Sequence, residues 1–235
     1  MTKVSLEESA TRAPVVACRS EPGRVFWSQR AWSEYAAVPA LAQVLVKGVA
    51  ERAPLAETAA LSAIVAEEVV HTALAKGVAD DCGGYHDDVP DDLAFDPYAF
   101  TEPTSLPRVA DVILAGCIGE GVARALLQAS LAFTAPAALH AVVARVHRDE
   151  CAHTAFAWRV AAREVPLLDV AARRALALLV APHARAARHR TLGRGRSARA
   201  RAAQAKLFDD VAAAGLGSAP ADVADDAVAR AFAVH

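Results

Sequence analysis

Two short motifs in this chain place a histidine three residues after a glutamate. Glu68 is followed by His71 in the segment Glu-Glu-Val-Val-His. Glu150 is followed by His153 in the segment Asp-Glu-Cys-Ala-His. Residues three apart lie on one face of an α-helix, so each motif can present a carboxylate and an imidazole to the same point. Carboxylates and imidazoles bind first-row transition metals, and two such motifs indicate a site for two metal ions.

A single glutamate stands upstream of each motif in a mostly apolar stretch. Glu34 comes 34 residues before Glu68. Glu120 comes 30 residues before Glu150 and is the only charged residue between positions 112 and 123. Two antiparallel helices joined by a short turn bring residues at these separations to equal depth. A buried carboxylate without a partner is very costly, so we expect both upstream glutamates to face the same metal ions.

The sequence thus predicts one set of side chains as both metal ligands and catalytic residues: Glu34, Glu68, His71, Glu120, Glu150 and His153. His147 is a further candidate ligand, because it lies one turn before Glu150; a core histidine supporting the site is the alternative. Glu67 and Asp149 directly precede ligands, and we expect them to support a histidine or arginine. The competing interpretation of the whole pattern is two Glu-His pairs on solvated helix faces.

The elements that carry these residues are predicted to be helices, because alanine and leucine are abundant and no stretch alternates as a β-strand does. Apolar residues recur with a helical period at 25–49, 54–78, 105–133 and 134–165, and a fifth helical stretch follows Pro166. The short link after the first stretch predicts antiparallel neighbours. Two helices, a long connection and two more helices predict an all-α, four-helix bundle with one long crossover and additional C-terminal helices.

Charge and composition divide the chain into three predicted parts. These are a polar leader at 1–24, a helical bundle with the two-metal site at 25–190, and a basic, helical extension at 191–235. Within the bundle, 79–106 carries eight acidic side chains and no lysine or arginine, which predicts an acidic crossover or lid. The basic region at 185–206 is a solvated helix face, a surface for an anionic partner, or a surface for self-association with the acidic crossover.

Prolines and glycines mark irregular places inside the predicted helices. Pro39 is expected to kink or locally unwind the first helix, and Pro182 to break the last one. Three glycines surround the glutamate of the third helix, although each costs about 1 kcal/mol relative to alanine in a helix: Gly116, Gly119 and Gly121. They indicate either close helix packing or a functional reason, which is room for small molecules or a local helix bulge beside the metals.

The bulk composition gives no sign of nucleic-acid binding, membrane insertion or disulfide bonds. The net charge is −2, and the four cysteines lie far apart without the spacing of a zinc site. The leader lacks the apolar core of a signal peptide, and no uncharged apolar run reaches about 18 residues. We therefore expect a soluble, cytoplasmic protein without a membrane or nucleic-acid partner.

The doubled pattern of a glutamate, an acid pair and a histidine resembles that of the ferritin-like di-iron carboxylate superfamily. It is similar to di-iron oxygenases such as the p-aminobenzoate N-oxygenases and the aldehyde-deformylating oxygenases. The resemblance covers residues 25–165 and rests on the ligand motifs. The N-oxygenases carry an extra histidine ligand, for which His147 is the nearest candidate here, although its spacing differs from theirs.

This resemblance implies a ferritin-like bundle that holds two iron ions, Fe/Fe or Mn/Fe, and acts as an O2-dependent oxidoreductase. Glu68 with Glu150 or Glu120 would bridge the ions, and His71 and His153 would complete the coordination of the ions. The implied partners are O2 and a small organic substrate, oxidised by N-oxygenation or hydroxylation in a biosynthetic pathway. The alternatives are a ferritin-like iron-oxidising or storage protein and a scaffold that binds no metal. The sequence leaves open whether the chain forms a homodimer, and it identifies no electron donor.

Overall fold

The computed structural model describes residues 21–85, 107–131 and 137–191, and every regular element within these ranges is a helix. Five helices follow one another along the chain: α1 (Glu21–Ala50), α2 (Leu55–Cys82), α3 (108–131), α4 (Ala137–Glu164) and α5 (Val170–Thr191). A short 3₁₀ turn, Val165–Leu167, lies between α4 and α5. The prediction of an all-α chain is therefore confirmed for the described residues.

Helix α3 changes its hydrogen-bonding pattern along its length. It begins with one α-helical turn, Arg108–Asp111, and continues as a π-helix through Val112–Gly119. It returns to α-helix at Glu120–Leu131. A π-helix is rare and is often found at functional sites. Here it ends at the residue before Glu120, one of the predicted metal ligands.

The four predicted bundle helices lie close to their predicted positions, with two extensions of four residues. Helix α1 begins at Glu21, so the last residues of the predicted leader 1–24 are helical. Helix α2 continues to Cys82, so the first residues of the predicted crossover 79–106 are helical. Residues 86–106 of that crossover lie outside the described residues, as do 1–20 of the leader and 192–235 of the C-terminal extension.

Two helices continue through a proline. Pro39 lies inside α1, and the local unwinding predicted there is not found. Pro182 lies inside α5, so the predicted break is wrong. Val180 and Ala184 on either side of it are buried, as is Ala40 next to Pro39. Apolar burial on both sides of a proline can hold a helix together, because it offsets the lost backbone hydrogen bond.

Helices α1 and α2 are antiparallel neighbours, as the short link predicted. At one end the chain turns tightly, with Ala53 N–H donating to Gly48 C=O at 2.8 Å and Arg52 in the left-handed region at φ 59°. At the other end the Arg24 side chain, near the start of α1, packs against Gly83, just after the end of α2. The two helices therefore run side by side along their whole length.

Helices α3 and α4 form a second antiparallel pair. Arg108 at the start of α3 contacts Glu164 at the end of α4. Further along, Gly116 of the π-helical segment packs against Ala157. The two helix pairs meet where α1 packs on the π-helical segment and α2 packs on α4.

One apolar core joins all five helices. It contains side chains from each of them, for example Val44, Ile64, Ile113, Val160 and Leu176. Helix α5 covers the outside of α3, with its main contacts on the π-helical segment. The described residues thus form two helix pairs with a fifth helix packed on one of them.

A network of charged side chains ties the elements together at one end of the molecule. Arg108 is buried and contacts three carboxylates, those of Glu51, Glu57 and Glu164. Arg163 Nη2 lies 2.6 Å from Glu57 Oε2. Burial raises the pKa of Glu57, but the two arginines lower it by more, so this carboxylate is held ionised.

Helix α2 is the one described helix whose length and apolar composition would suffice to span a membrane. Its mean hydropathy reaches 1.3. One such helix is weak support for a membrane segment, because core helices of soluble proteins meet the same criterion. The cytoplasmic location expected from the sequence stays a prediction.

Candidate metal centre

The structure brings all six predicted ligands together in two overlapping groups. In the first group the ligand atoms of Glu34, Glu68, His71 and Glu150 lie within 4.8 Å of one another. In the second group the same holds for Glu68, Glu120, Glu150 and His153. Two residues, Glu68 and Glu150, belong to both groups. Both groups could therefore hold a metal ion, and the two ions would share two carboxylates.

Four helices supply these side chains, one or two from each. Helices α1 and α3 each contribute one glutamate, and α2 and α4 each contribute a glutamate and a histidine. All six are buried, and Glu68 and Glu150 are 0% exposed. The competing interpretation, two Glu-His pairs on solvated faces, does not fit this burial.

Both histidines turn the same ring nitrogen towards the carboxylates. His71 Nδ1 lies 3.4 Å from Glu68 Oε1. His153 Nδ1 lies 3.0 Å from the same oxygen and 3.3 Å from Glu120 Oε2. The two rings are stacked, with their centroids 5.7 Å apart. Glu68 thus stands between the two imidazoles, as a shared ligand would.

The outward nitrogens of the histidines are held by the acids that precede the ligands. His71 Nε2 lies 3.3 Å from Asp149 Oδ2, and His153 Nε2 lies 2.7 Å from Glu67 Oε2. Each motif therefore supports the histidine of the other motif. A carboxylate on the far nitrogen fixes the ring and its tautomer, which leaves Nδ1 free to bind a metal. These contacts agree with the role predicted for Glu67 and Asp149.

Four buried polar atoms at the centre of the cluster have no hydrogen bond of normal geometry to any described residue: Glu68 Oε1 and Oε2, His71 Nδ1 and Glu150 Oε2. Buried polar atoms are nearly always paired, so each of these requires an explanation. All four belong to residues of the two groups. A metal ion bound by them would satisfy them, and the donor set therefore fits a pair of divalent cations.

The carboxyl groups of the cluster differ in proton affinity. Burial raises the pKa of Glu34 to about 8 and also raises the pKa of Glu120. Burial acts in the same direction on Glu68, but contacts with His153 and His71 lower its pKa to about 2. Burial lowers the pKa of His153, and the facing glutamates raise it by more. Protons thus neutralise part of the cluster, and cations that bind there must displace them.

Arg30 also belongs to this site, although it is not among the residues predicted from the sequence. Its Nη2 contacts Glu34 Oε1 and lies 3.4 Å from Glu150 Oε1. The side chain is mostly buried, with 12% of its surface exposed. Arg30 stands four residues before Glu34, on the same helix face, and this spacing is the signal that could have located it.

His147 is not brought into either group. It is partly buried, and its Nε2 lies 3.7 Å from Cys151 Sγ, one turn along α4. Burial lowers its pKa, and the charge of Arg124 adds to this effect. The structure therefore gives no support to His147 as a ligand.

A small cavity lies beside the second ligand group. Its volume is about 10 Å³, room for about one water-sized molecule. Glu120 and His153 border it on one side, and the rest of its wall comes from four helices, including Val44, Ile64, Val112, Gly116 and Phe156.

Gly116 and Gly119 of α3 have different surroundings within the irregular helix. A Cβ on Gly116 would lie 2.5 Å from the Ala157 Cβ, far inside normal contact. Gly119 is exposed, and a Cβ there would meet only the Leu114 carbonyl oxygen, at 3.5 Å. Both explanations predicted from the sequence are found here, since Gly116 packs tightly and the π-helical segment is a bulge beside the ligands.

Comparisons with protein-family models, with curated proteins and with solved structures found no match for this chain.

Proposed function

We propose that the chain is a ferritin-like, non-haem di-iron oxygenase or oxidase. The observation that supports this function is the pair of overlapping ligand groups that share Glu68 and Glu150. Shared carboxylates between two histidine-bearing groups are the arrangement by which helical bundles hold two metal ions close together. Atoms of the same two residues lack hydrogen bonds, which favours a role as bridging ligands.

Iron is the metal that we propose, as an Fe/Fe pair or as a mixed Mn/Fe pair. All donor atoms of the two groups are carboxylate oxygens and imidazole nitrogens, and no cysteine belongs to either group. Iron and manganese accept such ligands, whereas thiolates favour softer ions. When bound, two ferrous ions supply electrons for the reduction of O2.

The geometry suggests a separate task for each ligand. Glu68 and Glu150 are the proposed bridging carboxylates, because each belongs to both groups. Glu34 and Glu120 each belong to one group and are the proposed terminal carboxylates. The histidines are proposed to bind through Nδ1, because their Nε2 atoms contact acids outside the cluster. The wall of the small cavity beside the second group is otherwise apolar.

The size of the cavity favours a second candidate function. A space of about 10 Å³ holds about one water-sized molecule and has no room for an organic substrate. This supports a ferritin-like protein that oxidises and handles iron without an organic substrate. An oxygenase would require part of the wall, such as the π-helical segment or Phe156, to move when the substrate enters.

O2 consumption by the iron-loaded protein tests the proposed function. The metal-free chain is loaded anaerobically with two equivalents of ferrous iron and mixed with oxygenated buffer in an oxygen electrode. We expect O2 uptake in proportion to bound iron, and its loss in the Glu68→Gln variant. Glu21→Gln, an exposed glutamate on α1, is the matched control and should behave as wild type. Two bound irons without O2 uptake above the buffer rate would rule out the proposal.

The size of the native assembly and the iron it accumulates distinguish the two candidates. A large cage that retains many irons per chain after aerobic loading would favour iron storage. A monomer or dimer that keeps no more than two irons per chain, and consumes O2 repeatedly with a reductant, would favour an oxygenase. Light scattering and iron analysis of the same sample give both results.

A further inference from the structure

Arg30 gives the two ligand groups different electrostatic surroundings. Its guanidinium contacts Glu34, which belongs only to the first group, and Glu150, which belongs to both. Glu120, which belongs only to the second group, contacts no lysine or arginine among the described residues within salt-bridge distance. A guanidinium remains charged at any ordinary pH, so the first group always carries a built-in cation.

The residues one helical turn before the two proposed terminal glutamates, Glu34 and Glu120, also differ. Four residues before Glu34 the chain has Arg30, whereas four residues before Glu120 it has Gly116. The Arg30 guanidinium lies against the first group, in contact with Glu34 and Glu150. Gly116 instead lines the small cavity beside the second group. One group is therefore closed by a cation, and the other is open towards an apolar cavity.

We propose that Arg30 makes the two metal positions unequal. A divalent cation binds first at Glu68, Glu120, Glu150 and His153. The other position, formed with Glu34 and His71, binds its cation more weakly, because that cation must displace the guanidinium from Glu34 and is repelled by it. The inference rests on the proposed function, since it assumes that the cluster is a metal centre, but it does not depend on any reaction with O2.

Titration of the metal-free full chain with Mn²⁺ tests this order of binding. Calorimetry gives the affinities, and electron paramagnetic resonance distinguishes a single bound Mn²⁺ from a coupled pair. In the wild type we expect the first ion to bind at least about tenfold more tightly than the second, a difference of about 1.4 kcal/mol. In Arg30→Gln the second affinity should rise at least about tenfold, while the first changes less. Arg24→Gln, which removes an arginine from the same helix away from the cluster, should match the wild type.

Two further variants identify which position fills first. Glu34→Gln should abolish the weak event and retain the tight one, and Glu120→Gln should abolish the tight event. These two variants still test the order of binding if Arg30→Gln does not fold, which circular dichroism would reveal. Equal affinities for the first and second Mn²⁺ in the wild type would overturn the inference, as would equal losses of binding in the two glutamate variants. Neither result would contradict the proposed metal centre itself. No Mn²⁺ binding by the wild type or any variant would overturn the metal centre as well.

Discussion

At the scale of single residues, the site depends on acids that do not themselves belong to a ligand group. Glu67 and Asp149 each contact the outward nitrogen of a histidine from the opposite motif. Glu67 is 48% exposed at its side chain, so its contact reaches from the protein surface to a buried imidazole. The two motifs thus hold each other in place, and neither histidine is oriented by its own helix alone.

Adjacent glutamates on α2 provide a direct test of these roles. Glu67→Gln should weaken metal binding by about 10- to 100-fold and leave the number of bound ions unchanged, because a supporting contact to His153 is lost while the ligands remain. Glu68→Gln should remove bound metal altogether, because both groups lose a ligand. Calorimetry with Mn²⁺ measures both effects. Equal losses in the two variants would contradict the distinction between supporting acid and ligand.

The spacing of residue types was sufficient to predict the six grouped side chains, because ligands of one metal pair must share helix faces and depth. The spacing was not sufficient to predict that Arg30 belongs to the site. An arginine on a helix face usually reaches solvent, and only the packing of α1 against α2 and α4 encloses this one. Nor could spacing alone exclude His147, since it shares a helix face with Glu150 but points to Cys151.

The raised pKa values of the cluster predict how pH affects the metal-free protein. A group whose pKa is raised on folding contributes its stability below its ordinary pKa and loses it as the pH rises through the raised value. For Glu34 this window runs from 4.5 to about 8. The pKa values of Glu120 and His153 are also raised, so their contributions have the same sign. We therefore expect the metal-free protein to become less stable from about pH 5 to pH 8.

Urea unfolding at a series of pH values measures this dependence. The Glu34→Gln variant should show a flatter profile than the wild type, because one of the titrating groups is gone. Metal affinity should rise over the same interval, since fewer protons compete for the ligands. A wild-type protein whose metal-free stability rises from pH 5 to pH 8 would contradict the assignment.

At the scale of elements, the π-helical segment is the feature that sequence analysis could indicate but not specify. The glycines marked α3 as irregular, yet the change in hydrogen bonding depends on how α3 packs against α1, α4 and α5. The break predicted at Pro182 failed for a related reason. The burial of apolar residues on both sides of Pro182 outweighs the tendency of proline to break a helix.

Gly116 offers a test of the packing that holds this segment in place. Gly116→Ala should destabilise the protein by about 1–3 kcal/mol, because the new methyl group meets the Ala157 Cβ at 2.5 Å. The double variant Gly116→Ala with Ala157→Gly should recover part of this loss, since the clashing methyl group is removed. Gly119→Ala, with its nearest neighbour at 3.5 Å, is the control and should not destabilise. Urea unfolding of the four proteins checks this, and a Gly116→Ala variant as stable as Gly119→Ala would argue against tight packing.

At the scale of the whole molecule, the order of the helices and their pairing could be predicted from the sequence. The surface on which α5 packs could not. Short links fix which helices are antiparallel neighbours, as for α1 and α2. An apolar face on α5 indicates that it is buried, but it does not identify the π-helical segment of α3 as its main contact. The charged network around Arg108 was also beyond prediction, because it joins residues from four separate parts of the chain.

The candidate metal centre lies where the two helix pairs meet, so metal bound there should stabilise the entire fold rather than one region. Each helix pair supplies ligands to both groups, and folding brings the ligand atoms within each group to 4.8 Å or less of one another. A ligand that binds only the folded state stabilises it by about 2.7 kcal/mol at a free concentration 100 times its Kd. For a chain of this length that corresponds to roughly 5–10 °C in Tm.

Differential scanning calorimetry with and without Mn²⁺ measures this shift in Tm. Glu150→Gln, which removes a ligand from both groups, should abolish the shift, whereas the exposed Glu21→Gln should retain it. A single transition that moves as a whole would indicate that the two helix pairs unfold together once metal links them. If only part of the unfolding heat shifted, the pairs would unfold independently, and the shared carboxylates would not couple them.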